Sequence, residues 1–285
     1  MKTSLSALEV VTVALLFTGS APAQAPAPAQ SSGLSAVEGT APAGGSANPD
    51  TKRVRRRDDT PHGPVPRLPD GHVDLSGVWQ GGGPVGDIAQ GLAKGETIPL
   101  LPAAKELMEH RQSKDDPEAN CLPTGVPRIS PYPWRIVQTP THIFFLFEGN
   151  IHSYRQIFMN ASHPADPDPT WYGHSIGKWD GDTLVVDTVG YNDKFWFDFD
   201  GHPHTEQLHT IERYTRKDLG TLEDKVTIDD PGDYSRPFTL TFTARLRPHE
   251  ELMEYICQEN QQDAQHLKGG PGLGNPGDPP ATPGK

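Results

Sequence analysis

Only two cysteines, Cys121 and Cys257, occur in the 285 residues. Neither belongs to a Cys-x-x-Cys pair, which removes the usual redox motif and the usual structural zinc site. Basic residues are also short: 25 Lys and Arg against 37 Asp and Glu, a formal net charge of −12. The one cationic run, Lys52-Arg-Val-Arg-Arg-Arg57, precedes the domain. A nucleic-acid partner is therefore not expected, because phosphate binding takes a cationic face. A solvated charge run or a surface tether accounts for the hexamer. Long apolar runs are missing as well. The best, residues 5–17, is shorter than the ~20 apolar residues a spanning helix requires. It follows Lys2 and precedes Ala21-Pro-Ala23. That layout reads as a secretory signal peptide over residues 1–23, with a short membrane anchor as the alternative. The expectation is an exported chain, periplasmic or extracellular, without a transmembrane segment when mature.

Familiar nucleotide and hydrolase signatures are absent too. Gly81-Gly82-Gly83 has no Lys-Ser/Thr after it and no strand-to-helix pattern, so a phosphate-binding loop is not expected. Gly173-His-Ser-Ile-Gly177 matches Gly-x-Ser-x-Gly, but a nucleophile elbow needs a strand, a sharp turn and a helix. Here Ser175 falls inside a strand pattern, and the match reads as accidental.

Thirty prolines and 29 glycines favour short strands and many turns over long helices. Residues 24–69 form a Pro/Ala/Gly-rich linker carrying the basic run, too poor in large apolar side chains to fold alone. Residues 268–285 are a second low-complexity tail. One domain remains, residues 70–267. In it, Pro102 to Gln112 is the one convincing helix, with proline at a first helical position and Ala104, Leu107, Met108 and Arg111 on one face. Strands follow at Arg135–Thr139, Ile143–Glu148, Ser153–Met159, through His209 to Tyr214, over 221–229, at Phe238–Arg247 and from Leu252 to Gln258. Phe238, Leu240, Phe242, Ala244 and Leu246 alternate with Thr239, Thr241, Thr243, Arg245 and Arg247, the pattern of a half-buried antiparallel strand. The expected fold is all-β: an antiparallel up-and-down barrel of eight to ten strands with one short helix, since closure removes sheet edges. A β-sandwich is the alternative. Cys257 falls in the last strand and Cys121 in the approach to the central ones. In an exported chain they can form a disulfide that pins this approach to the barrel; two buried thiols are the alternative.

The richest stretch is Trp171 to Gly190. It reads as a hairpin turning at Asp180-Gly181, since Asp-Gly supplies the positive φ angles of a type I′ turn. That register sets Ile176 against Val185 and His174 against Asp187 on one face. A carboxylate beside an imidazole fixes its tautomer and raises its basicity, as a general acid or base near neutral pH requires. A hydrogen bond that only steadies the hairpin is the competing reading. His202, His204, Glu206 and His209 form a second group. They are weak metal candidates, because Pro203 and the spacing match no established zinc motif; acid–base or substrate-binding roles suit His202, His204 and His209 better. No cofactor is expected. His163, Asp166 and Asp168 form a third, Pro-locked group, a solvated turn more than a calcium site. Arg155 shares its face with Ile151, Ile157 and Met159, so it either pairs with a carboxylate inside the fold or reaches outward. Arg155, Arg213, Tyr172 and Trp196 are substrate-binding candidates.

Trp171 to Thr188, together with Asp166–Thr170, Gly201-His-Pro-His204, Glu212-Arg213 and Glu254–Asn260, resembles a group of exported bacterial proteins to which no activity is attached. Gly77-Val-Trp79 on a first strand resembles the base of lipocalin-type (calycin) barrels, which implies a fold and no function. Three functions follow as expectations. One is an exported barrel enzyme of lyase, dehydratase or isomerase type, acting by acid–base chemistry on a small, partly apolar molecule. It would gather His174, Asp187 and one of His202, His204 or His209 about one pocket. The second is a non-catalytic, lipocalin-like binding protein of the envelope, whose pocket holds few titratable groups. A tethered structural protein is the third.

Overall fold

Alternating inward and outward residues along nine strands are satisfied in a closed sheet. The computed structural model describes residues 60–84 and 86–259. The expected signal peptide, the basic run and the 268–285 tail lie outside them. The strands are β1 (Gly77–Gly81), β2 (Trp134–Gln138), β3 (His142–Phe147), β4 (Tyr154–Met159), β5 (His174–Asp180), β6 (Thr183–Val189), β7 (His209–Asp218), β8 (Thr221–Asp229) and β9 (Phe238–Leu246). They lie in sequence order around a barrel, and β9 pairs with β1 through Trp79 and Leu246. The all-β barrel of eight to ten strands is thus present. Helix α1 (Pro102–His110) begins at the expected proline. Of its apolar face only Ala104 is buried, while Leu107 is 49% exposed.

Three details depart from the sequence reading. The barrel is not purely up-and-down, because β4 and β5 run parallel. A parallel pair needs a long crossover, and residues 160–173 supply it. Leu252 to Gln258 is not a strand; β1 already occupies the free edge of β9, so no ladder remains for it to join. Cys257 therefore sits in a turn, yet it bridges Cys121 with a Cα–Cα distance of 5.6 Å. The linker also ends earlier than residue 69: Arg67 bridges Val73, and Leu219 N donates to Gly63 O at 2.9 Å.

The interior is filled, with charge in its middle. One apolar cluster includes Trp79, Trp134, Phe145, Leu184, Leu222 and Leu246. Trp79 lies in it fully buried, with the Arg216 guanidinium 5.0 Å above its ring. The other cluster gathers Val226, Ile228 and Leu240 under loop residues Ile88, Tyr191, Phe195, Phe197 and Tyr234. Along β8 the inward residues run Leu222, Asp224, Val226 and Ile228, so Asp224 lies between the two. Arg155, Glu212, Ser175 and Thr188 share that layer and are buried. Arg155 thus takes the inward alternative. Its Nε donates to Ser175 Oγ (2.9 Å), Nη1 to Glu212 Oε1 (2.9 Å) and Nη2 to Thr188 Oγ1 (2.7 Å), and Nη2 also pairs with Glu212 Oε2. Tyr214 donates its hydroxyl to Glu212 Oε1 at 2.6 Å.

Two carboxylates share this layer with one guanidinium, and Glu212 holds it. Burial, then the Glu212 charge, raises the Asp224 carboxyl well above the ordinary carboxylate range, so Asp224 is the neutral acid of the pair. Its Oδ1 has no hydrogen-bond partner among the described residues. The linkage has a definite sign. A carboxyl that keeps its proton only when folded makes the folded state bind more protons, so stability falls as pH rises above the unfolded value of about 3.9. Asp224→Asn removes that slope. Urea denaturation between pH 5 and pH 8 is expected to show the variant gaining on the wild type as pH increases; a gap that stays constant with pH would contradict a protonated Asp224.

Candidate functional site

The β5–β6 hairpin forms as expected but turns one residue later. The last pair is Asp180 with Thr183, leaving Gly181 and Asp182 as the loop. Gly181 has φ +57°, while Asp182 is not in the left-handed region, which is the type II′ pattern with glycine at the first central position. The preference for Gly-Asp over Asp-Gly has a visible partner: Arg67 donates to both Asp182 carboxylate oxygens, at 2.9 and 2.7 Å. Moving the turn by one residue moves each pairing by two. His174 therefore faces Val189, and Asp187 faces Ile176. The direct His174–Asp187 pair is corrected, but a shift of two keeps both on the same, outer face.

What joins them is His163, delivered by the crossover between β4 and β5. This segment lies against β6, since Thr170 N donates to Gly190 O (3.0 Å) and Asn192 N to Thr170 O (2.8 Å). Gly190, at φ +71°, makes room for it; a Cβ there would come within 2.9 Å of Pro167. His163 Nε2 lies 3.2 Å from Asp187 Oδ1, and His163 Nδ1 lies 2.9 Å from His174 Nδ1. His209 Nε2 approaches the same Asp187 oxygen at 2.9 Å. His174 stacks on Phe158, with centroids 5.0 Å apart and planes 10° from parallel. The result is a chain: His209, Asp187, His163, His174.

The chain fixes its own protons. A carboxylate only accepts, so His163 Nε2 carries the hydrogen it shares with Asp187. In the tautomer that leaves His163 Nδ1 a lone pair, the proton between the two imidazoles belongs to His174 Nδ1. His174 Nε2 is then left unprotonated, the form a general base requires. Partial burial, then the neighbouring His163, lowers the His174 pKa below its ordinary value, which keeps the ring neutral at pH 7.

His174 also lines a cleft of about 550 Å³. Tyr154, Phe158, Trp171 and Tyr172 supply rings to its walls, and Pro123, Pro164 and Pro167 stiffen it. The Tyr172 hydroxyl lies 2.5 Å from Ser153 Oγ, and its ring stacks on Phe147. Arg155 and Ser175, on the paired strands β4 and β5, also line it. Ser175 has Arg155 and Thr188 for partners and no helix after it. Its Gly-x-Ser-x-Gly setting is a plain strand.

The remaining candidates lie elsewhere. Arg213 points outward and pairs with Asp180 at 2.6 Å. His204 is buried against Phe195 and Phe197, and burial drives its pKa down to about 4. It is a neutral core ring, away from the His174 cleft. Trp196 lies under Arg111, whose guanidinium is 4.7 Å from its ring. Glu206 is exposed on a turn. His202 joins neither His204 nor Glu206. It gathers with Asp87 and Asp198, with ligand atoms within 4.8 Å of one another. The Asp198 oxygens are already occupied: Oδ2 accepts from Ile88 N (2.8 Å) and lies 2.6 Å from His202 Nδ1, and Oδ1 accepts from His202 N (3.1 Å). Burial opposes charge on His202, but the Asp198 hydrogen bond and the Asp198, Asp87 and Asp200 charges outweigh it and raise the pKa. This group ties two loops together over one barrel end. In the Pro-locked segment, His163 enters the chain of imidazoles, Asp168 lines the cleft and Asp166 is exposed. Among the described residues no helix is long and apolar enough to cross a membrane. Searches of protein-family models, curated proteins and solved structures find nothing that matches this chain.

Proposed function

We propose that this barrel is an exported enzyme of the lyase, dehydratase or isomerase type, with His174 Nε2 as its general base. The observation that carries this reading is the Asp187–His163–His174 chain ending in the cleft wall. Each hydrogen bond in it sets the tautomer of the next ring, and the last free lone pair belongs to His174. A proton taken from a substrate at Nε2 makes His174 cationic. Its Nδ1 proton can then pass to His163 Nδ1, where Asp187 stabilises the resulting imidazolium. His174 Nε2 then gives its proton to a leaving group or to another substrate atom while His163 returns the other proton to His174 Nδ1, which completes an elimination or isomerisation without a cofactor and restores the starting tautomers. His209 gives Asp187 a second hydrogen bond and holds the carboxylate in place. The disulfide and the absence of a long apolar helix among the described residues are compatible with export.

A binding protein remains the competing reading, since of the four chain residues only His174 lines the cleft. The tautomer separates them. Long-range ¹H–¹⁵N spectra at pH 7 are expected to show His174 neutral, with its hydrogen on Nδ1 and none on Nε2. A His174 that carries its hydrogen on Nε2, or is fully protonated, would leave no base in the cleft and sink the catalytic reading.

A further inference from the structure

The cleft has a chemical bias beyond its one base. Among the described residues Arg155 is the only cation in its lining, and that charge is spent: its guanidinium is bonded to Glu212, Thr188 and Ser175 and is buried. Asp168, by contrast, is exposed on the wall and has no ion pair among the described residues. An anion entering here meets a carboxylate and no free positive charge. Two of the lining residues, Asp168 through its carboxylate and His174 through Nε2 in the tautomer proposed above, accept hydrogen bonds without donating any. Gln156 and Thr170 can do either. Aromatic rings and prolines make up most of the remaining walls, and Tyr154 is 61% exposed. The volume falls within the ~300–1,000 Å³ of small-molecule sites.

We infer that the cleft between Tyr154, Trp171, Asp168 and His174 binds an uncharged ring compound bearing several hydroxyl groups, of the glycoside type. The C–H faces of such a ring lie on Tyr154 and Trp171, while its hydroxyls donate to Asp168 and to His174 Nε2. An alkyl ammonium would find aromatic faces and Asp168, but it would leave His174 Nε2 without a donor if quaternary. This inference rests on the reading of the His174 cleft as the functional site, and binding is measured apart from turnover.

The test uses the full chain and a matched set of probes: the methyl glycosides of glucose, galactose and xylose, methyl glucuronide, and choline. Saturation-transfer NMR and the Trp171 indole resonance report binding. At least one neutral glycoside is expected to bind saturably, with the glucuronide about tenfold weaker or worse, the size of one charged hydrogen-bond contact. Asp168→Lys, on an exposed loop position, is expected to shift that ratio toward the glucuronide by about tenfold. The inference is overturned if no neutral glycoside moves the Trp171 signal, if the glucuronide or choline binds more tightly than every neutral probe, or if Asp168→Lys leaves the ratio unchanged. The two readings fail separately: saturable glycoside binding by the wild type, together with turnover that survives His174→Ala, would remove His174 as the base while leaving the ligand class standing.

Discussion

Arg155→Met is expected to destabilise the barrel by about 3–5 kcal/mol, because it leaves the Glu212 charge buried without its partner. Glu212 is fully buried, and its remaining donor among the described residues is the Tyr214 hydroxyl. The opposite deletion should do less harm. In Glu212→Gln the guanidinium loses its carboxylate, but Asp224 lies in the same layer, close enough for Arg155 to act on its titration. Asp224 can release its proton and take over the pairing. The double variant Arg155→Met with Glu212→Leu removes both charges and should recover most of the loss, as replacing a buried pair by apolar groups commonly does. Ser175 and Thr188 would still miss a partner, so recovery stays short of complete. Urea midpoints of the three variants order the effects. Equal losses for Arg155→Met and Glu212→Gln would show that Asp224 is not the reserve anion of the layer.

Much of this layer could be read in the chain, and its wiring could not. Along β7, Glu212 and Tyr214 fall on the inner face and His209 with Arg213 on the outer one, as period-two alternation requires. The same pattern put Arg155 on an apolar face, which left its partner open, because the partner lies on another strand 57 residues away. Local pattern also carries no strand direction, so the parallel β4–β5 pair was invisible. That pair matters for function, since its crossover is what brings His163 to Asp187. The one available signal was the run of prolines after His163, which marks an extended, rigid connection but not its destination. Turn chemistry erred by one residue at Asp180-Gly181-Asp182, where Asp-Gly and Gly-Asp compete and the distant Arg67 favours the second. Leu252, Met253, Tyr255 and Ile256 have the composition of a strand. Yet Met253, Tyr255 and Ile256 are exposed, on a segment held by the Cys257 bridge and by Met253 N donating to Glu148 Oε2 at 2.8 Å.

His174→Ala is expected to lower kcat by about 10²–10⁴-fold, the usual worth of a positioned general base, with thermal melting little changed. The ring is partly buried on the outer barrel face, and its loss removes the stack on Phe158, which keeps its edge contact with His142, but opens no core cavity. Asp187→Asn acts through His163 and should have a different signature. An amide can present its NH₂ to His163 Nε2, which turns that nitrogen into an acceptor and puts the hydrogen on His163 Nδ1. The proton order of the whole chain then reverses: His174 Nδ1 becomes the acceptor and Nε2 carries the hydrogen, so the base is present in the wrong tautomer. The pH profile separates this from simple damage. The wild-type acid limb should fall below the ordinary histidine value of about 6.5, because burial and His163 both lower the His174 pKa; activity therefore rises with pH through that limb and is flat by pH 7. In Asp187→Asn the plateau should drop while the protein keeps its melting temperature and its ligand binding. A variant that loses binding in proportion to kcat, or a wild-type acid limb above 7, would mean that the cleft does not work through a neutral His174.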